Sequence, residues 1–386
     1  MRKVWDLVRR AFGNLDPTLF FCSLLLSVVS IVTIVGAVHN FGYSKLRMQV
    51  FIFIIGTILT VIVASIDFRE LVNKLWIPMI VGSVLLLVLT LVFGVSGASM
   101  ETANRSWLKI PFTGIMIQPS EFVRVTFICT FAKHLFAVED HINKPLTVLF
   151  LAGHASLVVL PILLSGDLGV ALIYFAIVLI MLYCAGLHLG YFAGLVVLVV
   201  LLSPYLWEHL APYQQERIIV GFDPELDPLG KGWQPLLSRR AIAAGGLFGN
   251  GIFCSGYYEE LTASHTDFIL ATICEKFGFL GGMVVIVTYM IMIIRIFNIA
   301  RAASKTDFGG LICAGIGGML VVQIIENVGM CFALLPVVGI TLPLLSCGGS
   351  SMLATFLMLG LLHNVNSHSD GVRKARPGDR FDLDVA

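Results

Sequence analysis

The chain has 386 residues, of which 58% are hydrophobic and only 13% charged, and its mean hydropathy is +0.93. That is far more apolar surface than a water-soluble domain needs for its core, so the solvent for most of it is lipid. A formal net charge of +1 excludes nucleic acid as a partner, because phosphate binding needs a concentrated basic face.

A charged start containing Arg2, Lys3, Arg9 and Arg10 precedes an apolar run too long for a signal-peptide core, which reads as a retained first span. In chain order, runs of bilayer length extend from Thr18 to Val38, Gln49 to Ile66, Trp76 to Val95, Ser120 to Val138 and Leu146 to Leu164. Five more follow, from Leu168 to Ala185, His188 to Leu206, Asp267 to Phe297, Gly309 to Leu335 and Ser346 to His363. The expected fold class is an all-α integral membrane protein with about ten transmembrane helices, residues 1–386 forming one polytopic domain. The eight cysteines are spread singly and read as small packing residues, not as a disulfide framework or metal knuckle.

Lys and Arg in short loops favour the cytoplasm. The basic start and the tail carrying Arg373, Lys374, Arg376 and Arg380 place both termini there, together with Arg69, Lys74, Lys133, Lys144, Arg295, Arg301 and Lys305. Lys45, Arg47, Arg105 and Lys109 are the exceptions, in outside loops. Two outside segments are too long for simple turns: Ser96 to Pro119, and residues 207–266, a long extracytoplasmic loop between the seventh and eighth spans. Within the second, Trp233 to Phe248 suits a short amphipathic or re-entrant helix carrying Arg239 and Arg240.

Ionisable side chains inside spans are costly and usually face protein or a watery cavity. Glu121, Arg124, Asp167, Asp267, Glu275, Lys276 and Glu326 lie in or at the ends of helices and together imply a polar cavity open to the outer face. Arg105, Trp107 and Lys109 share one outside loop just before Gln118-Pro119-Ser120-Glu121, where Ser120 and Glu121 suit a helix N-terminus. In Ser264-His265-Thr266-Asp267 a capping role explains Ser264 and Asp267. The rival reading makes Asp267 a partly desolvated base, with His265 as its competitor. Pro336, Gly339, Pro343 and Ser346 to Ser351 form an irregular apolar segment that survives at membrane depth only against protein or water.

The ordered combination of these blocks resembles the SEDS family of cell-wall proteins, the RodA, FtsW and SpoVE proteins, along nearly the whole chain. The landmarks are Arg105 to Leu108, Gln118 to Glu121, Asp167-Leu168-Gly169, Asp223-Pro224-Glu225 with Asp227 to Gly230, Ala241 to Gly251, His265 to Ile269, Gly278 to Gly281 and Pro343 to Ser351. The Asp223 to Gly230 stretch leans towards the RodA branch. Departures occur at Leu261-Thr262-Ala263, where the family usually reads Leu-Pro-Glu, at Ser165-Gly166 before Asp167, at Arg124, where lysine is common, and at Cys347 in place of a frequent tyrosine.

The resemblance implies a ten-helix peptidoglycan glycosyltransferase of the bacterial cytoplasmic membrane, polymerising lipid II on the outer leaflet beside a class B penicillin-binding protein. It also implies that Asp267 is the essential aspartate. A sugar on undecaprenyl pyrophosphate already has a good leaving group, so a single base suffices, with inversion at the anomeric carbon. Arg105, Lys109 and Arg124 are the expected diphosphate contacts, with Arg217, Arg239 and Arg240 as further candidates and Trp107, Glu121, His265 and Ser350 as substrate-side residues. A divalent cation is compatible with this chemistry, but no ligand cluster demands one. The alternatives are a lipid II flippase or transporter, which needs a polar path through the bilayer, and a non-catalytic scaffold.

Overall fold

A computed structural model of the chain describes residues 15–96, 105–110, 116–210, 212–303 and 307–374, and the side chain of Arg217 lies outside the described residues. So do the basic N-terminal cluster, Lys305, Arg376 and Arg380, and the side chains of Arg373 and Lys374. The helices are α1 (Pro17–Gly36), a short α2 (Val38–Phe41), α3 (Tyr43–Ser65), α4 (Phe68–Phe93), α5 (Pro119–Ala137), α6 (Pro145–Leu164) and α7 (Leu168–Cys184). They continue with α8 (Leu189–His209), α9 (Pro212–Phe222), α10 (Trp233–Ala244), α11 (Ile269–Ala302), α12 (Gly309–Cys331) and α13 (Gly349–Lys374). Strands β1 (Leu108–Lys109) and β2 (Met116–Ile117) pair antiparallel in the loop before α5.

Each apolar segment expected from the sequence overlaps a helix, the first reaching from α1 to the start of α2. Six described helices, α1, α3, α4, α6, α11 and α12, are long and apolar enough to cross a membrane, and two shorter apolar ones lie at Leu168–Cys184 and Leu189–Tyr205. Aspartates start several of them. Asp16 accepts from Leu19 N with Pro17 in the first turn, Asp67 from Arg69 N and Glu70 N, and Asp167 from Val170 N, each satisfying donors a helix start leaves open. The central element is α12, which packs against α5, α7, α11 and α13, while α13 lies along α3.

Ionic contacts close the end of the bundle that holds Asp16. Arg295 of α11 donates to Asp16 Oδ2 from Nε (2.9 Å) and Nη2 (2.6 Å), and Arg69 Nε donates to Asp307 Oδ2 at 2.6 Å. At the opposite end the segment after α8 is not a structureless loop. Helix α10 buries Pro235, Leu236, Leu237, Ser238 and Ala241, and Ser238 Oγ donates to Cys331 O (2.8 Å), while Arg239 and Arg240 stay exposed.

Two of the ionisable residues in α11 hold this end together. The Glu275 carboxylate accepts from Tyr257 N and Tyr258 N, both at 2.8 Å. Lys276 Nζ donates to the carbonyls of Gly36 (3.3 Å), Ile252 (2.8 Å) and Cys254 (3.2 Å) and lies 4.0 Å from the Tyr258 ring centroid. These buried charges satisfy loop backbone, so they fasten the loop and do not line the cavity expected of them.

Candidate active site

Helix α11 begins after Asp267. Its N-cap is Phe268, without a side-chain cap bond, so the capping role that the spacing of Ser264 and Asp267 suggests is not what the fold uses. Tight turns precede the helix instead: Ser264 N donates to Leu261 O (3.3 Å), and Thr266 N and Phe268 N both donate to Ala263 O (3.1 and 3.0 Å).

The His265-Thr266-Asp267 block is fixed from behind through its carbonyls. Cys347 N donates to His265 O (2.8 Å), Ser346 Oγ to Thr266 O (2.7 Å) and Asn327 Nδ2 to Asp267 O (2.7 Å). Asn327 Nδ2 also reaches Ile340 O (2.7 Å), and Ser346 Oγ accepts from Leu342 N (2.8 Å). Further along, Tyr289 donates to Pro343 O and Ser30 to Leu345 O. The irregular segment is thus tolerated at depth because side chains of neighbouring helices satisfy its backbone. It serves as the template that sets the His265-Thr266-Asp267 block.

The anchors are backbone carbonyls, and the Asp267 side chain lies beside Gly339, which lines a cavity. Gln118, Glu121, Gln323, Gly339, Ile340 and Thr341 line this space, and a Cβ built on Gly339 would stand 3.7 Å from Asp267 Oδ2. Burial raises the Asp267 carboxyl to about 6, against an opposing hydrogen bond from Thr266. Burial and the nearby Lys45 charge push His265 down to about 4. Among the described residues, Glu121 Oε2 and Gln323 Oε1 are buried acceptors without a partner, so the cavity is suited to a ligand rich in hydroxyl donors.

The other expected site residues separate into two groups. Glu121, Ser350, Asp167 and Gln118 converge: Gln118 N donates to Ser350 Oγ (3.1 Å) and Gln118 Nε2 to Asp167 Oδ2 (3.2 Å). Arg124 donates to Glu121 Oε1 at 2.9 Å, but it is only 1% exposed, with its guanidinium 5.7 Å from the Tyr174 ring. Enclosed in this way it orients Glu121 and has no surface to offer a diphosphate. Arg105 and Lys109 are exposed, Trp107 is half-buried and bridged to Val95, and Arg239 pairs with Glu225 at 2.9 Å.

Gln323, Asn327 and Gly339 were missed as site residues. The signal was present for the first two, since an amide pair four residues apart on one face of an apolar helix is costly unless it serves a polar interior. Among the described residues there is no group of three or more His, Cys, Asp or Glu side chains placed to hold a metal ion.

Fold and site together define an all-α, multi-pass membrane protein with a polar cavity beside a conformationally fixed aspartate. A family model for the FtsW, RodA and SpoVE cell cycle proteins matches residues 14–371, and the chain belongs to this family. It is 32% identical over 381 residues to the probable peptidoglycan glycosyltransferase FtsW of Trichlorobacter lovleyi, covering 94% of this chain and 96% of that one. Identity to the peptidoglycan glycosyltransferase MrdB of Escherichia coli K12 is 31%, with 96% and 97% covered. For the stage V sporulation protein E of Bacillus subtilis it is 34%, with 74% and 76% covered. Among solved structures, one chain from work on polymerization and crosslinking by a peptidoglycan synthase complex matches with a TM-score of 0.79 and 28% identity, covering 92% of this chain and 98% of that one. The crystal structure of Thermus thermophilus RodA matches with a TM-score of 0.67 and 25% identity over 92% and 97%.

Proposed function

We propose that the protein is an inverting peptidoglycan glycosyltransferase that polymerises lipid II at the outer face of the bacterial cytoplasmic membrane. The observation that carries this reading is the Asp267 carboxyl at the rim of a cavity with unpartnered acceptors. Asp267 takes the proton of the acceptor sugar's 4-hydroxyl as that oxygen forms its bond to the donor's anomeric carbon. The bond from this carbon to the diphosphate breaks at the same time, and undecaprenyl pyrophosphate leaves. Glu121 and Gln323 accept hydrogen bonds from sugar hydroxyls. Arg105 and Lys109, on the exposed hairpin, and Arg217, Arg239 and Arg240 on the long loop supply cations for the diphosphate. The polyprenyl tails stay in lipid, where each methylene contributes about 0.8 kcal/mol. Purified protein given labelled lipid II in vesicles tests the reading: polymer supports it, translocation without polymer would make the protein a flippase, and neither would make it a scaffold.

The proposed topology has ten spans, both termini cytoplasmic and residues 207–266 outside, in line with the basic segments. A cysteine introduced at Asp223 is expected to react with an impermeant maleimide in intact cells. Reaction only after permeabilisation would reverse the orientation.

For the partner, the family resemblance implies a class B penicillin-binding protein docking through its own membrane helix, and the match to a chain from a peptidoglycan synthase complex that polymerises and crosslinks supports a partner of that kind. Co-expression of each such protein from the same genome should yield one detergent-stable complex, and the absence of any complex would remove the claim.

A further inference from the structure

One buried carboxyl of α12 has no part in the mechanism above. Glu326 is only 6% exposed, and among the described residues neither of its oxygens has a hydrogen-bond partner. Other buried charges hold the fold together: Glu275 and Lys276 bond loop backbone, and Arg124 bonds Glu121. An unpaired carboxyl at this burial costs the folded state free energy. A ligand that brings donors to it offsets that cost.

The direction of the side chain follows from the residues before it in the helix. Gly315, Met319 and Glu326 follow one another at spacings of four and seven and share one face of α12. A Cβ on Gly315 would lie 2.7 Å from Met181 Sδ of α7 and 3.1 Å from Ile128 Cγ2 of α5, and Arg124 Nη1 of α5 reaches Met319 Sδ at 3.8 Å. This face therefore runs along the groove between α5 and α7. Gln323, four residues beyond Met319, lines the cavity in that groove with Glu121, Val170 and Ile173. Glu326 stands about one turn beyond Gln323, and Asp267 is the charge that reaches it.

We infer, on the reading of this cavity as the glycosyl-transfer site, that Glu326 is a further substrate-binding residue, whose carboxylate accepts hydrogen bonds from hydroxyl or amide N–H groups of the sugar headgroup that Asp267 deprotonates. Glu326 joins Glu121 Oε2 and Gln323 Oε1, the other buried acceptors left without a partner on α5 and α12. A headgroup bearing several donors satisfies them together, and its binding gives a use to an acid that the packing leaves idle.

The test is thermal unfolding of the purified full chain in detergent, titrated with lipid II. Because nothing in the fold pairs with Glu326, Glu326→Gln and Glu326→Leu are expected to unfold at or above the wild-type temperature without ligand. A ligand that binds only the folded state gives a saturable rise in unfolding temperature. The concentration needed for that rise should increase at least about tenfold in Glu326→Leu, the effect of losing hydrogen bonds to a charged group. It should increase less in Glu326→Gln, which keeps one acceptor oxygen and still reports if the leucine variant fails to fold. A glutamine variant that unfolds below the wild type would make Glu326 a structural residue, and a lipid II response unchanged in both variants, or absent from the wild type, would leave a water as its partner. A rise produced by magnesium or manganese alone and lost in Glu326→Gln would give the carboxyl to a cation. Each of these three results overturns the inference. A wild type that binds lipid II through Glu326 but makes no polymer would remove the polymerase reading and keep the headgroup site.

Discussion

Asp267→Asn is expected to lower glycan polymerisation by roughly 100- to 10,000-fold, the usual contribution of a positioned base, while leaving the fold intact. The amide keeps the size of the side chain and loses only the basic oxygen. The block's anchors from Asn327, Ser346 and Cys347 all go to backbone carbonyls, so they survive the change. The sign of the stability effect separates catalysis from structure. Burial holds the carboxyl at about 6, above its ordinary value, so above pH 6 the ionised carboxylate costs the folded state stability that the unfolded chain does not lose. At pH 7 the Asn variant should therefore unfold at the wild-type temperature or slightly above it. Wild-type turnover should rise with pH through about 6 as the base form appears, and residual activity in the variant should lack that limb. His265, held near 4, would place the limb two units lower. A greater loss in His265→Gln than in Asp267→Asn would move the role to histidine.

The second large effect is structural. Gly278 sits inside α11 with φ 71° and ψ −170°, a combination open essentially to glycine alone. A Cβ there would lie 2.4 Å from both Gly249 N and Leu247 O, which are backbone atoms with no room to turn away. The close approach is what lets Phe279 N and Leu280 N donate to Gly246 O (2.8 Å) and Leu247 O (3.2 Å), tying the glycine-rich loop to the kink. Gly278→Ala is expected to cost about 3 kcal/mol or more, read as loss of monodisperse protein in detergent. A variant that purifies with wild-type yield and unfolding temperature would show that the kink relaxes without strain.

The membrane class and the helix positions were legible in the chain because each depends on local order, whereas local spacing left Asp267 and His265 as rival bases and only the family resemblance favoured the aspartate. A run of apolar residues declares a span whatever surrounds it, and the His265 to Ile269 block is contiguous. Helix ends were less legible. The last helix starts at Gly349 and not Ser346, because Ser346 and Cys347 turn back to bond the His265 block, a contact eighty residues away that no local pattern announces.

The part each ionisable residue plays was decided by the tertiary structure alone. Arg124, Glu275 and Lys276 look alike in sequence to Glu121 and Asp267, as charges in apolar helices. Packing encloses Arg124 against Glu121 and Tyr174 and commits Glu275 and Lys276 to loop backbone, while it leaves Asp267 beside Gly339 at the cavity edge. By itself the sequence determined that this protein lives in lipid and carries costly polar groups there, since hydrophobicity and charge belong to residues. Which of those groups holds the fold and which faces a ligand depends on what stands opposite each one, and only the packed helices determine that.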